Sequence, residues 1–190
     1  MQNHIYGPFS KYIKPRFSEI PCSYLEIGAS SGSTARFMLA SVLLHEQSKA
    51  DLVDPWCAYE AEPDRRGNPR IYTVDAMTRA KWLVTRLCGW YPDKARMYSM
   101  TSDEFFKVTD CTYDFIFIDG LHDGDTVLSD GINGLKTLND GGLIAFDDMT
   151  LPAVRGAVAK FVEHAEETCA INEYYRTKHQ ICLSVQQKDH

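Results

Sequence analysis

Two apolar stretches of this sequence end in carboxylates, and one of them is followed closely by a histidine. The first reads YDFIFID and ends at Asp119, with His122 three positions later. The second reads LIAFDD and ends at Asp147 and Asp148. Carboxylate oxygens bind hard cations such as Mg²⁺, and an imidazole takes up protons near neutral pH. These residue types therefore predict metal-assisted or acid–base chemistry at the ends of two buried strands.

The acids come together if the two strands are neighbours in a parallel sheet, where strands lie about 4.8 Å apart. Crowded carboxylates repel one another, so one of them must hold a proton unless a cation binds between them. We expect Asp119, Asp147 and Asp148 to bind Mg²⁺ or another divalent cation, with His122 as the general base for an acceptor hydroxyl group. In the alternative, Asp119 contacts substrate or cofactor without a metal, the Asp pair caps a helix, and His122 is an ordinary loop residue.

The elements that must position these groups alternate between strands and helices along the chain. Apolar strands alternating with helices indicate a parallel sheet covered by helices on both faces. Two consecutive strands at the end of the chain predict one antiparallel strand in that sheet. The predicted strands span 22–27, 50–54, the neighbours of Tyr98, 113–119, 143–148, 170–177 and 180–187, and the predicted helices span 34–47, 76–88, 102–108, 125–138 and 152–168.

Polar and glycine residues at the boundaries of the helical patterns predict where the helices begin and end. We expect N-caps at Asp75, Ser102 and Thr150, and a capping role for Asp123 and Asp125. The stretch Asn139-Asp-Gly-Gly is expected to end the helix before it.

Composition limits the classes of protein that fit this chain. With 190 residues, 44% of them hydrophobic, it suits one domain over 22–190, preceded by an N-terminal arm or lid over 1–21. The net charge of −6 argues against a nucleic-acid or membrane-surface binder. Six cysteines without CxxC spacing, no apolar leader and no membrane-span pattern predict reduced thiols in a cytoplasmic protein. The composition leaves a homo-oligomer open.

The first strand leads into a turn of small residues that reads EIGASSGST over 26–34. Gly28 and Gly32 let the backbone pass close to a ligand at the N-terminus of the next helix. The spacing differs from the dinucleotide fingerprint, which needs glycines where this chain has Ser30 and Ser33. A tight turn without a ligand is the alternative interpretation.

Two further strand ends carry groups that suit a nucleoside. Asp54 follows the second strand and can accept hydrogen bonds from both hydroxyl groups of a ribose; a solvated residue before Pro55 is the alternative. The third strand runs into Met100, Thr101 and Ser102, where hydroxyl groups can contact an adenine edge or simply cap a helix. Ligands of open α/β sheets bind beyond the carboxyl ends of the strands, so these groups predict a nucleoside-containing ligand.

Together these features resemble the class I S-adenosylmethionine-dependent methyltransferases over about residues 22–187. The resemblance implies an α/β, three-layer, Rossmann-like fold with a seven-stranded, mostly parallel sheet and an antiparallel C-terminal hairpin strand. It also implies S-adenosylmethionine as the cofactor. By position in the motifs, the cofactor-binding residues would be Glu26, Gly28, Ala29, Ser30, Gly32, Ser33, Thr34, Asp54, Trp56, Met100, Thr101, Ser102 and Asp119.

Within that superfamily, the stretches VDPW, IDGLH and GGLIAFDDM are similar to those of the macrocin-type sugar O-methyltransferases. The resemblance implies metal binding by Asp119, Asp147 and Asp148, with Asp119 and His122 as the catalytic residues. The implied acceptor is a hydroxyl group of a small molecule, such as a sugar or a glycosylated natural product. Because the given sequence is shorter than the best-known members, we expect it to lack their extra N-terminal region.

Other functions fit the same sheet. A metal-independent methyltransferase would act on an amine, a carboxylate or a macromolecule. A nicotinamide-type oxidoreductase is disfavoured by the spacing of Gly28 and Gly32, and a non-catalytic nucleotide-binding protein would not need the acids and His122. The arm over 1–21 and the segment over 55–72 are predicted to close over the acceptor, with wall residues among Tyr6, Phe9, Tyr12, Trp56, Tyr59 and Arg65.

Overall fold

The computed structural model describes residues 3–61 and 70–188, and these fold into strands and helices that alternate along most of the chain. The strands are β1 (Ser23–Ile27), β2 (Lys49–Val53), β3 (Tyr59–Ala61), β4 (Arg70–Tyr72), β5 (Ala95–Tyr98), β6 (Tyr113–Ile118), β7 (Leu138–Phe146), β8 (Cys169–Arg176) and β9 (Ile181–Gln187). The helices are α1 (Asn3–Pro8), a π-helical turn (Phe9–Ile13), α2 (Lys14–Phe17), α3 (Ser33–Ser41), α4 (Val74–Trp90), α5 (Ser102–Val108), α6 (Gly124–Thr137) and α7 (Pro152–Ala165).

Seven of these strands form one sheet in the order β5-β2-β1-β6-β7-β9-β8. The pairs among β5, β2, β1, β6 and β7 are parallel, whereas β9 pairs antiparallel with both β7 and β8. One apolar cluster packs α3, α4 and the N-terminal helices on one face of the sheet, and a second packs α5, α6 and α7 on the other. The predicted three-layer α/β fold with an antiparallel C-terminal hairpin is therefore confirmed.

The N-terminal segment packs into the core. Phe9 and Ile13 are fully buried, and the Phe9 ring lies edge-on to Phe115 and Phe117 of β6, with ring centroids 5.5 and 5.1 Å apart. Such aromatic pairs add stabilisation beyond the apolar area that they bury. The helical residues 3–17 thus cover one face of the sheet, and the predicted role of 1–21 as an arm or lid stays a prediction.

Several predicted boundaries are wrong, because local hydrogen bonds decide them. α3 ends at Ser41 rather than at 47, because the chain leaves the helix at Val42 and Val42 and Leu43 are buried in the core. α7 ends at Ala165 rather than at 168. α6 ends at Thr137, just before Asn139–Gly142 as expected, but that stretch lies inside β7 instead of forming a loop. There the side-chain amide Nδ2 of Asn139 donates to Asp114 Oδ1 at 2.7 Å.

The capping residues also differ from the predicted ones. Thr73, not Asp75, caps α4 by accepting from the Ala76 amide at 3.2 Å. Thr101, not Ser102, caps α5, and Leu151, which makes no side-chain cap, replaces Thr150 before α7. Asp123 caps α6 as expected. A capping side chain must sit one residue before the first helical residue, and this register was misplaced by one or two positions.

Candidate active site

The carboxyl ends of β1, β2, β5, β6 and β7 open into a cavity of about 600 Å³. This is a typical volume for a small-molecule site. It lies where ligands bind in open α/β sheets, beyond the strand ends and near the point where the strand order reverses. Most of the predicted site residues line this cavity.

The turn after β1 depends on a glycine that no other residue can replace. Gly28 has a φ of +87°, and a Cβ built on it would lie only 2.5 Å from Gly120 Cα. The backbones after β1 and β6 therefore touch at this point. Gly28 N and Ala29 N donate to Val53 O at 2.9 and 3.2 Å, which fixes the turn to the end of β2.

Gly32 has a different role from the one predicted. It caps α3 with a φ of +74°, and a Cβ built on it would lie 2.9 Å from Val84 Cγ2 of α4. It is buried against α4 and is not among the described residues that line the cavity. Its neighbours Ser33 and Thr34 do line the cavity, as do Ala29 and Ser30.

Asp54 joins the turns that follow β1 and β2. Its Oδ2 accepts from Ser30 N at 2.9 Å and its Oδ1 accepts from Trp56 N at 2.7 Å. Trp56 Nε1 in turn donates to Ser30 O at 2.8 Å, so Trp56 supports the turn from behind and does not line the cavity. Burial raises the pKa of Asp54, and the two backbone hydrogen bonds oppose the rise.

Glu26 is a buried carboxyl group beside this turn. It accepts from the Tyr24 hydroxyl group at 2.9 Å and is only 2% exposed. Burial raises the pKa of Glu26 to about 8, opposed by the Tyr24 hydrogen bond and reinforced by the charge of Asp54. A cation bound in the cavity would favour the ionised form of Glu26.

The turn after β5 forms the end of the cavity opposite β7. Thr101 and Ser102 line it, whereas Met100 packs against the apolar cluster on the α5 side of the sheet. Thr101 is engaged in a capping box, in which its Oγ1 accepts from Glu104 N and Glu104 Oε2 accepts from Thr101 N. Its side chain is therefore held as a helix cap at the edge of the cavity.

Asp103 and Asp130 also line this end of the cavity, and the sequence analysis missed both. Asp103 belongs to α5 and Asp130 to α6. Asp130 had a sequence signal, because it falls on the buried stripe of α6 where an apolar residue is expected.

The residues predicted to carry the chemistry meet at the ends of β6 and β7. Ile118 pairs with Phe146 in register, and Asp147 N donates to Ile118 O at 3.0 Å. These strands are therefore parallel neighbours, which is the condition under which the sequence brings the acids together. Asp119, His122, Asp147 and Asp148 all line the cavity.

The side chains of His122 and Asp148 contact each other at this end of the cavity. His122 Nε2 lies 3.1 Å from Asp148 Oδ2, and the two side chains are 16% and 28% exposed. Asp148 has a φ of +53°, an uncommon conformation that costs energy and is often found at functional sites. A carboxylate at one imidazole nitrogen orients the ring and leaves the other nitrogen as the base.

The predicted metal site is not formed by this arrangement. Within 3–61 and 70–188, no three or more His, Cys, Asp or Glu side chains are arranged to hold a metal ion. Asp148 is turned toward His122 instead. The Mg²⁺ assignment of Asp119, Asp147 and Asp148 therefore stays a prediction.

The lining of the cavity is strongly acidic. Its described residues include no lysine or arginine. Such a surface produces a negative potential that favours cationic ligands. The acids are Glu26, Asp54, Glu60, Asp103, Asp119, Asp130, Asp147 and Asp148.

Of the residues predicted to form the acceptor wall, some line the cavity and others do not. Tyr59 lines the cavity and stacks on Tyr72 of β4, with ring centroids 4.4 Å apart. Phe9 is buried in the core, and Tyr12 stacks on Tyr175 at 5.0 Å. The Tyr6 hydroxyl group donates to Ser33 O at 3.3 Å. Arg65 lies outside the described residues.

Two further observations concern the chain as a whole. All six cysteines lie outside disulfide bonds in this structure. Among the helices within 3–61 and 70–188, none is both long and apolar enough to span a membrane.

Comparison with solved structures shows the same fold at low sequence identity. The O-methyltransferase NovP superposes with a TM-score of 0.67 at 12% identity, covering 96% of this chain and 79% of NovP. An rRNA methylase from Streptococcus thermophilus gives 0.57 at 13% identity, with 96% and 94% covered. The O-methyltransferase from Bacillus cereus, solved in complex with SAH, gives 0.57 at 13% identity, with 87% and 74% covered. No curated protein matches this chain by sequence.

The sequence profile of a family described as "Methyltransferase domain" matches residues 25–149. That range contains the Gly28 turn, Asp54 and the acids and histidine at the ends of β6 and β7. The chain therefore belongs to this methyltransferase family and is a class I S-adenosylmethionine-dependent methyltransferase.

Proposed function

We propose that this protein transfers the methyl group of S-adenosylmethionine to a hydroxyl oxygen of a small acceptor, such as a sugar or a glycosylated natural product. The observation that carries this proposal is the His122–Asp148 pair, with Nε2 and Oδ2 3.1 Å apart in the cavity wall. A hydroxyl group needs a base before it can attack a methyl group, because its oxygen is a weak nucleophile while protonated.

The cofactor would lie along the ends of β1, β2 and β5. The Gly28 turn permits close backbone approach, and Glu26 and Asp54 offer carboxyl groups to the methionine ammonium and the ribose hydroxyl groups. The acidic lining suits the positive sulfonium and ammonium groups. The Bacillus cereus O-methyltransferase, which shares the fold, is described as a complex with SAH, and we extend that cofactor to this chain.

The chemistry needs one proton transfer and one displacement. When the Nε2–H group of neutral His122 is hydrogen-bonded to the Asp148 carboxylate, Nδ1 is the basic nitrogen, and it takes the acceptor hydroxyl proton. The oxygen then attacks the methyl carbon in line with the carbon–sulfur bond, which breaks to leave S-adenosylhomocysteine and a methyl ether. Asp148 stabilises the imidazolium formed in this step.

The acceptor would occupy the space between the His122 end of the cavity and the β3–β4 strand pair. The stacked rings of Tyr59 and Tyr72 form an apolar wall of the kind that packs against sugar or aromatic rings. NovP is described as an O-methyltransferase, which agrees with a hydroxyl acceptor. The Streptococcus thermophilus protein is described as an rRNA methylase, so RNA is tested as the competing acceptor.

Mg²⁺ assistance is proposed separately from the base. Carboxylates at 119, 147 and 148 are of the ligand type that Mg²⁺ prefers, and Asp148 would have to turn from His122 toward the cation, because the described residues do not group the three as a preformed metal site. The proton step is assigned to His122 independently of the metal.

The test is S-adenosylhomocysteine production with a catechol, a methyl hexoside, a phenolic glycoside and an rRNA fragment as acceptors. His122→Ala should lower turnover by about 100-fold to 10,000-fold and leave S-adenosylhomocysteine affinity unchanged. His164→Ala is the matched control, because His164 is exposed on α7, and it should retain full activity. Unchanged turnover in His122→Ala would exclude His122 as the base. Methylation of the rRNA fragment alone would refute a small-molecule acceptor.

A further inference from the structure

A buried carboxyl group on α6 lines the cavity but has no part in the reaction proposed above. α6 buries Val127, Asp130, Gly131 and Gly134, so Asp130 stands on the face where an amphipathic helix ordinarily carries apolar residues. Asp130 is 1% exposed and lines the cavity. A Cβ built on Gly120 would lie 3.8 Å from Asp130 Oδ2, so this carboxyl group reaches the end of β6.

Neither carboxyl oxygen of Asp130 has a hydrogen-bond partner among the described residues. Buried carboxyl groups are ordinarily hydrogen-bonded, because desolvation without a partner is costly. Burial raises the pKa of Asp130 to about 6; the Ser102 hydroxyl group opposes the rise without reaching hydrogen-bond geometry, and the charges of Asp103 and Asp123 add to it. A ligand with an N–H donor at this point would supply the missing hydrogen bond.

The position of Asp130 indicates which donor of the cofactor it meets. S-adenosylmethionine carries three kinds of donor: the methionine ammonium, the ribose hydroxyl groups and the exocyclic amine of adenine. Glu26 and Asp54 lie at the ends of β1 and β2 and serve the first two. Asp130 lies between the end of β6 and the start of α5, beside Ser102, and its neighbour Ser129 donates from Oγ to Asp103 Oδ1 of α5 at 3.3 Å. The exocyclic amine is the donor that remains.

We propose that Asp130 is a specificity-determining residue of the cofactor pocket and accepts a hydrogen bond from the exocyclic amine of the adenine ring. The inference rests on the proposed function in one respect, that S-adenosylmethionine occupies this cavity. With a carboxylate acceptor at this point, the pocket selects an adenine over a hypoxanthine. Hypoxanthine presents an oxygen at the same position, and this oxygen repels the carboxylate.

The test compares two ligands by isothermal titration calorimetry, S-adenosylhomocysteine and its deaminated analogue S-inosylhomocysteine. The wild-type protein should bind the adenosyl compound about 10-fold to 100-fold more tightly, the range expected for one hydrogen bond to a charged group. Asp130→Asn should bring the ratio close to one, because its amide can donate to the hypoxanthine oxygen. Asp125→Asn, which removes an exposed carboxylate from the same helix, is the matched control and should keep the wild-type ratio.

Three results would overturn the proposal. Equal wild-type affinities for the two ligands would refute it without any variant. A ratio that is unchanged in folded Asp130→Asn but lost in Asp103→Asn would assign the contact to Asp103. Binding of neither ligand would refute the cofactor site itself together with the role of Asp130, whereas binding without preference would refute only the role of Asp130.

Discussion

The buried carboxyl group of Glu26 predicts a pH dependence of stability that one isosteric substitution should remove. Burial raises the pKa of Glu26 from an ordinary value of 4.5 to about 8 in the folded, ligand-free protein. A carboxyl group whose pKa is raised on folding holds its proton in the folded state while the unfolded state has released it. The contribution of Glu26 to stability is therefore largest below pH 4.5 and is lost as the pH rises toward 8.

The size of this loss in stability follows from the difference between the pKa of Glu26 in the unfolded and folded states. Each pKa unit corresponds to about 1.4 kcal/mol, so the wild-type protein should lose at most about 4 kcal/mol from this group between pH 5 and pH 8. Glu26→Gln keeps the shape and still accepts the hydrogen bond of Tyr24, but it has no charge to bury. The variant should therefore become more stable than the wild type as the pH rises.

The assay is urea denaturation of both proteins at pH 5, 6, 7 and 8 without ligand. The difference in the free energy of unfolding should grow steadily across this range. Glu163→Gln, an exposed substitution on α7, should follow the wild type at every pH. A Glu26→Gln difference that stays constant from pH 5 to pH 8 would refute the reasoning, because Glu26 would then already be ionised in the folded protein at pH 5.

Two predictions concern the backbone turn and the metal. Gly28→Ala should abolish S-adenosylhomocysteine binding in calorimetry and lower stability by more than about 1 kcal/mol, because its φ is positive and its Cβ would strike the Gly120 backbone. Gly89→Ala, a helical site with open space around it, should instead be neutral or stabilising by up to about 1 kcal/mol, and a similar loss in both variants would contradict the argument. Mg²⁺ titrated into protein saturated with S-adenosylhomocysteine should bind at one site that Asp148→Asn removes. Undiminished binding in that variant would exclude Asp148 as a ligand, and no binding to either protein would contradict Mg²⁺ assistance.

The fold could be predicted because short residue patterns indicate each strand and helix, and these patterns recur along the chain. Strands such as YDFIFI and LIAF are apolar on both faces, which only a covered parallel sheet tolerates. The sequence showed that Asp119 and Asp147 would meet at one edge of the sheet if β6 and β7 were neighbours, and the pairing of these strands supplies that condition. Helix ends were less predictable, because a Thr and an Asp one or two positions apart are both good caps and backbone geometry chooses between them.

Site residues could be predicted only where residues close together in the sequence determine the geometry. Gly28 was identified from spacing, since a turn between a strand and a helix is local. Gly32 and Trp56 were assigned to the cavity but support it from behind, because α3 and the β2 turn orient them through tertiary packing. The pattern of α6 indicates that Asp130 is buried, but its place at the cavity depends on how α6 packs on the sheet, and Asp130 was therefore missed.

The acids that line the cavity affect both the stability of the protein and its affinity for the cofactor. Burial raises the pKa of Glu26 to about 8 and of Asp130 to about 6, and it also raises the pKa of Asp54. Each of the three therefore opposes folding of the ligand-free protein more strongly as the pH rises from its ordinary pKa to its raised one. A bound cation reverses that cost, because it favours the ionised forms. S-adenosylmethionine carries a sulfonium charge and S-adenosylhomocysteine does not, so methyl transfer itself removes part of the electrostatic attraction between the cofactor and these acids. The same buried charges that weaken the empty protein therefore favour the substrate form of the cofactor over its product.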